Sequence, residues 1–546
     1  MRKIAALMLV LALCMMCVTG CEGGVGAILG GDSEARKSAV VSSDIQLPME
    51  KIRTLNPIIS KDEDTYFINK LIYDSLFELD EDLAAVPSLV EAWGYADDGM
   101  AVAFQLKNGL LWQDGTPFDG NDVAFSIQCY TTYLYDHVFT GNVQNISGAT
   151  VDRNNPYIVT VNFKSADKTG TELFTFPILP EHLYKNAYEL HSLVEEFIPI
   201  GTGAYAVTEF DMYSHITLGG NPYYYSAPPG NRLIFQIMPS REDSLNMLGV
   251  NAISYAVSRQ GDRETIYRNA DVKVKSFVSN EAVWIGFNFN SPVMKNKNAR
   301  KAIAYAIDNK ELLETCFFNS GVLCDTIYFP GFLGVGGQED PYAVDAAEAD
   351  TELAEAGFYD NDRDGYMDYF DAAYGDNGGW ISARLKFLIN GNDQSRVEAA
   401  KLIQTSLDRL GLVCELIFVE DDMFAAAVAE GNYDFYMGSA SFNESYDLRF
   451  MLHSAYNNPI SYSNNWLDIL LDDFAASRTQ EARKYTFTQI HTLLTEEIPY
   501  YCLFYKTYGA AAAPSMNGEA NPSFNDFYRD CEGWRNVYTS EYAGGE

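Results

Sequence analysis

Basic residues are scarce in this sequence: 38 Lys and Arg stand against 75 Asp and Glu, a formal net charge of −37. That balance excludes a nucleic-acid partner, because phosphate backbones are held by clustered Lys and Arg. It equally excludes adhesion to an anionic membrane through basic patches. Glycine and proline, 41 and 19, are too few for a collagenous or low-complexity chain. Aromatic residues make up 14% of the chain, which excludes a disordered one. Catalytic signatures are missing too. No HExxH, GxSxG or GxxxxGK(S/T) occurs, and His137, His182, His191, His215, His453 and His491 form no close pair suited to zinc. Gly24-Val25-Gly26 with Gly30 lacks the preceding strand that a dinucleotide fingerprint needs.

The 546 residues suggest two to four domains at roughly 100–200 residues each. Met1-Arg2-Lys3 followed by the apolar run Ile4 to Val18 reads as a signal peptide, being shorter than the ~20 residues of a membrane-spanning helix. The run ends in Val18-Thr19-Gly20-Cys21, which resembles a lipobox, so Cys21 is the expected lipidation site and residues 21–43 a flexible tether. No second apolar run is long enough to span a bilayer, which leaves the lipid as the only membrane attachment. Cys129, Cys316, Cys324, Cys414, Cys502 and Cys531 contain no CxxC pair, and spacing does not choose between disulfides and buried thiols.

Apolar periodicity predicts a strand from Ser42 and a helix over Thr65 to Phe77. Strands are expected at Met100–Leu106, Tyr157–Phe163, Ala204–Phe210, His215–Leu218, Leu233–Met238 and Val283–Phe289, and a helix at Ala299–Ile307. The clearest unit spans 385–419. The strand Leu385–Ile389 precedes a polar loop; Val397, Ala400, Ile403, Leu407 and Leu410 then mark a helix stopped by Gly411, and Leu412–Val419 is a strand. This is a right-handed βαβ unit with parallel strands. Ligands bind beyond the carboxyl ends of such strands, which nominates the loop Asn390–Arg396, with Asn390, Asn392 and Asp393. A further strand, Tyr433–Met437, should open its exit loop, Gly438 to Asp447, into the same crevice. Tyr66, Tyr462 and Trp380 are candidate cleft aromatics.

Several blocks, taken together and in order, resemble the family 5 extracellular solute-binding proteins, the oligopeptide and dipeptide receptors of ABC importers. They include Thr54-Leu55-Asn56-Pro57, Ile72 to Phe77, Pro87 to Trp93, Phe104 to Gly109, Trp112 to Pro117 and Asp122 to Ser126. Gly201 to Tyr205, Asn221 to Tyr225 and Ala299 to Asp308 follow. The resemblance implies an α/β, two-lobed periplasmic-binding-protein fold of the class II, cluster C type with an extra inserted domain. Lobe I would hold 40–75, 195–288 and 500–546, the inserted domain 76–194, and lobe II 289–499. It further implies a monomer outside the cytoplasmic membrane that closes over a small solute, a peptide by family habit, and delivers it to permease subunits without a required cofactor. Peptide receptors of this family place an Asp in the loop after the strand here read as Tyr433–Met437. Here that position is Asn443, followed by Glu444, and the neighbouring Arg and Trp positions fall on Met437 and Ala440. The expected ligand residues in this loop are Ser441, Phe442, Asn443, Glu444, Tyr446 and Asp447, with Glu444 and Asp447 as the carboxylates on offer. A sugar, opine or metal chelate is the alternative ligand. A secreted carboxylate-pair hydrolase, for instance a glycosidase, is the alternative activity.

Asp360, Asp362, Asp364, Tyr366, Asp368 and Asp371, with Gly365, fall at the spacing of an EF-hand-type loop. A structural Ca²⁺ is the reading with chemistry in it. A solvated acidic turn is the plain one, since residues 339–376 hold thirteen acids and one Arg.

Overall fold

The computed structural model describes residues 40–538, apart from 133–136, 168–169, 195–196, 212, 260–270, 373 and 375–376. The leader, Cys21 and most of the expected tether lie outside the described residues. Three larger sheets organise the chain. In the first, Asp44–Met49 runs parallel to Arg232–Ile237, which continues antiparallel through His215–Gly220 to Tyr205–Asp211. The second is antiparallel and built from Val90–Tyr95, Ala101–Leu106, Ile158–Phe163 and Ile146–Val151. Alternation explains it: Val102, Phe104 and Leu106 are buried while their neighbours are not.

The third sheet positions the candidate site. Its order is Tyr255–Ser258, Tyr500–Ala512, Lys273–Phe287, Phe435–Ser441, Arg384–Asn390, Val413–Val419, with Gly321–Val322 added beside Tyr500–Ala512. Arg384–Asn390 and Val413–Val419 are parallel in full register, joined by the helix Gln394–Arg409 as the βαβ reading requires. Asp393 caps that helix by accepting from the Arg396 N–H at 3.1 Å, while Ala399, Ala400, Ile403 and Leu407 face the core.

Two strands are longer than apolar alternation suggests. The segment expected at Val283–Phe289 runs from Lys273 to Phe287, because its polar first half pairs with Thr507–Ala512. The strand expected at Tyr433–Met437 spans Phe435–Ser441, because Gly438 to Ser441 pair with Trp284 to Glu281. The expected exit loop therefore starts at Phe442. One helix is shorter: Glu63–Ile72 stops before Tyr73, and the Ile72 carbonyl takes the Gly203 N–H at 2.8 Å. A side chain at Gly201 would stand 1.8 Å from that same carbonyl oxygen, so the close approach requires glycine.

Of the six cysteines beyond residue 21, Cys324 and Cys502 form a disulfide, Cα atoms 6.3 Å apart and 178 residues apart in sequence. Cys129, Cys316, Cys414 and Cys531 are buried free thiols. Burial pushes all four up, Cys414 to about 12, which keeps them protonated and unreactive. A buried carboxyl also stands out. Asp74 has one oxygen without a hydrogen-bond partner; burial, then the Glu78 charge, push it up to about 7, with Lys107 opposing.

Two tests follow from this packing. The Cys324→Ser/Cys502→Ser variant should lose about 2–5 kcal/mol in urea unfolding, since the bond closes a long loop; an unchanged midpoint would contradict that role. Asp74 binds its proton more tightly folded than unfolded, so its contribution to stability falls as pH rises from about 4 to about 7. Asp74→Asn should flatten that part of the pH–stability curve and stabilise the fold by roughly 1–4 kcal/mol at pH 8. A curve of unaltered slope would refute the assignment.

Candidate functional site

A cavity of about 730 Å³ opens where the third sheet meets the helix Glu63–Ile72 and the residues around 139 and 172. Its floor is the loop after Phe435–Ser441. Phe442, buried, stacks on Trp284 with ring centroids 5.8 Å apart. Its N–H donates to the Asn280 carbonyl at 2.9 Å, and its carbonyl accepts from Asn280 Nδ2 at 2.6 Å. Four residues on, Tyr446 is wholly buried against Phe329 and Phe332, with centroids 6.0 and 5.4 Å away. Its backbone takes φ +46°, a strained setting for an aromatic residue, and its N–H closes a turn on the Asn443 carbonyl at 3.2 Å. Two sunken aromatic rings thus hold Asn443, Glu444 and Ser445 out as the tip of a turn.

Four acids and one base, Lys61, are among the described residues lining the cavity. Glu63 is paired with Arg259. Asp447 meets Arg449 at 2.5 Å; burial pushes its carboxyl up, but the hydrogen bond and charge of Arg449 outweigh this and hold it low. Glu172 meets Arg483 at 3.2 Å. Glu444 differs. Its Oε1 accepts from the hydroxyl of Tyr66 at 2.8 Å, a neutral donor, because burial and then the Glu444 charge drive the Tyr66 phenol well above its ordinary range. A half-buried carboxylate that faces a cavity and is held only by a neutral phenol among the described contacts keeps its charge available for a cationic group.

Of the residues expected from the sequence, Tyr66, Ser441, Phe442, Asn443, Glu444 and Asp447 line this cavity. Tyr446 supports the loop from the core side. Asn390, Asn392 and Asp393 lie at the same end of the sheet but line a second cavity, about 670 Å³, with Arg396, Asp421 and Ser439. The expected single crevice is therefore two cavities along one strand, Ser439 in one and Ser441 in the other. In the second, Asn390 Nδ2 donates to Asp421 at 2.5 Å, Asn392 accepts from the Asp421 N–H at 2.8 Å, and Asp393 pairs with Arg396 at 3.0 Å. Two aromatic expectations need correction. Tyr462 is buried edge-on against Phe289 at 4.7 Å, its oxygen accepting from Asn464. Trp380 stands exposed on the hairpin Asp368–Asp371/Gly379–Ser382, across from Phe370 at 5.9 Å. Neither lines the cavity. Phe67, Phe139, Glu172, Asn280 and Phe524 do, and nothing in their local sequence marks them, since they converge only through long-range pairing.

The acidic loop is gathered in part. Asp360, Asp362 and Asp364 bring carboxylate oxygens within 4.8 Å of one another, and Gly365 takes φ +91°, the left-handed turn that glycine permits. Asp368 instead accepts from the Asn361 N–H at 3.3 Å and from Ser382 at 3.2 Å, Asp371 sits in the ladder opposite Gly379, and the Tyr366 N–H donates to Asp364 at 2.9 Å. The expected six-residue ligand set is thus a trio in this structure, because strand pairing draws the last two acids away.

Comparison with known proteins agrees with this arrangement. The family described as bacterial extracellular solute-binding proteins, family 5 (middle region), matches residues 84–462. The oligopeptide-binding protein AppA of Bacillus subtilis (strain 168) is 23% identical over 556 residues, spanning 98% of this chain and 99% of its own. Among solved structures, the unliganded open form of MppA, a periplasmic murein tripeptide binding protein, superposes with a TM-score of 0.74 at 15% identity, covering 92% of this chain and 99% of that one. NikA from Brucella suis, solved with Fe(III)-EDTA, gives 0.65 at 20% identity, covering 88% and 98%. These neighbours share the two-lobed α/β fold, and no described helix is long and apolar enough to cross a membrane. The ordered match over most of the chain removes the hydrolase alternative: the chain belongs to the family 5 bacterial extracellular solute-binding proteins, and it is a substrate-binding protein of the ABC-transporter kind rather than an enzyme.

Proposed function

We propose that this protein captures a solute bearing a free ammonium group, a peptide, in the cavity above Glu444 and passes it intact to an ABC permease. It works as a monomer on the outer face of the membrane, held there by lipid on Cys21. The observation that carries the reading is Glu444, the cavity carboxylate whose partner is a neutral phenol. In a cavity closed to water, an ammonium on that carboxylate makes a charge-assisted hydrogen bond of about 1.5–3 kcal/mol. The neighbouring Asn443 and Ser445 offer further polar groups, and the rings of Phe67, Phe139 and Phe442 give apolar walls. Peptide-binding relatives support the class of ligand, while the Fe(III)-EDTA complex of NikA keeps a metal chelate as the competitor. Hinge closure over the ligand, with the closed form binding it preferentially, provides capture and release.

Calorimetry with tri-alanine and its N-acetyl form tests the ammonium contact. Wild-type protein should prefer the free amine, and Glu444→Gln should weaken it about tenfold or more while leaving the acetylated peptide unchanged. Indifference to acetylation would sink the reading.

A second reading rests on the carboxylate trio of Asp360, Asp362 and Asp364. Hard oxygen donors around a tight glycine turn suit Ca²⁺, and we propose that the loop takes one as a structural ion. Millimolar CaCl₂ should then raise the melting temperature of the wild-type protein but not of Asp362→Asn, with MgCl₂ as control. An identical response in both proteins would dismiss it.

A further inference from the structure

The segment that displays Glu444 runs on into the short helix Arg449–Leu452. Met451 and Leu452 of that helix are buried, at 3% and 0% exposure, which fixes the face it turns to the core. Phe450 points the other way: it is 53% exposed and lines the same cavity as Glu444. A second lining residue, Val138, is 47% exposed between the buried His137 and Phe139. Leu173, Leu448 and the half-buried Phe524 extend the apolar lining. Apolar residues scattered singly over a surface need no explanation. Phe450 and Val138 are not scattered, since both open into one concavity from segments remote in sequence. Their exposed surface is surface that water already reaches in the cavity, so a solute entering it reaches that surface too, and covering it is favourable. A hydroxyl or amide laid against the same side chains would give up hydrogen bonds to water without gaining a partner from them.

We propose that Phe450 and Val138 select the solute's side chain, so that the preferred peptides carry an aromatic or long aliphatic residue packed on these two while the α-ammonium sits on Glu444. This rests on the ammonium reading of Glu444 and adds the side-chain class to it. One stretch of chain thus supplies both contacts: the polar tip Asn443-Glu444-Ser445, then, beyond the buried Tyr446 and Leu448, the open ring of Phe450. A charged head beside an apolar body is the ligand chemistry that such a lining complements.

The test uses the whole chain beyond Cys21 and calorimetry with tri-alanine, Phe-Ala-Ala, Ala-Phe-Ala and Ala-Ala-Phe. Wild-type protein should bind at least one phenylalanine peptide about tenfold more tightly than tri-alanine, the scale of covering one aromatic side chain. Glutamine at that same position should bring no gain. In Phe450→Ser the ratio should fall to about two or less, whereas Phe450→Leu, still apolar, should keep most of it. Phe450 is more than half exposed, so its replacement leaves the core packing intact; Val138→Ser gives the same reading should Phe450→Ser fail to fold. Equal wild-type affinity for all four peptides, absence of binding included, overturns the proposal without any variant. So does a phenylalanine preference that survives unchanged in the serine variants. A uniform loss for all four peptides in Phe450→Ser overturns it as well, because it would mean that the ring closes on the protein rather than on the guest. The N-acetyl form of the best peptide separates the two readings. Loss of the amine preference with the phenylalanine preference intact removes Glu444 and leaves the apolar contact, and the reverse removes the apolar contact alone.

Discussion

The backbone ladder between Lys273–Phe287 and its neighbours is what every other feature of the site leans on. On one edge it pairs with Tyr500–Ala512, on the other with Phe435–Ser441. That second pairing sets Glu281 opposite Ser441 and Trp284 opposite Gly438. A side chain at Gly438 would stand 2.7 Å from the Trp284 ring nitrogen, so glycine there is what lets the indole lie across the strand and offer Phe442 a surface to stack on. Shift the register by one residue and Phe442 turns to the opposite face, taking the turn that displays Glu444 with it.

Electrostatic reasoning for the cavity is a matter of subtraction. An acidic protein has carboxylates everywhere, and most carry no information. Here the described structure removes Glu63, by pairing with Arg259, and Asp447, by pairing with Arg449. Glu172 is removed by pairing with Arg483, and Glu444 remains. Partial burial then gives it weight: charge interactions that water would screen are strong where water is excluded. The Tyr66 hydroxyl orients Glu444 without neutralising it, which leaves the charge available for a guest.

Local pattern was readable where one segment packs by itself. The βαβ unit from Arg384 to Val419 follows its apolar spacing because the helix needs only its own face and the strands beside it. The loop around Glu444 was reachable from family resemblance together with a departure from it. Tyr462 and Trp380 show the opposite case. Both are aromatic and near polar residues in sequence, but one is consumed by packing on Phe289 and the other stands out on a separate hairpin. Aromaticity marks a candidate without saying which surface it will meet.

What the residues determine alone is therefore the material: an acidic, exported type of chain, alternating strands and the ordered family blocks. Only the tertiary structure decided which of those acids remain uncompensated, that Glu172 joins Glu444 across more than 250 residues of chain, that the two polar loops serve separate cavities, and which two of six cysteines meet. The physical reason is common to all four. Each depends on contacts between segments remote in sequence, made through backbone ladders whose register and extent the side-chain pattern of one strand does not contain.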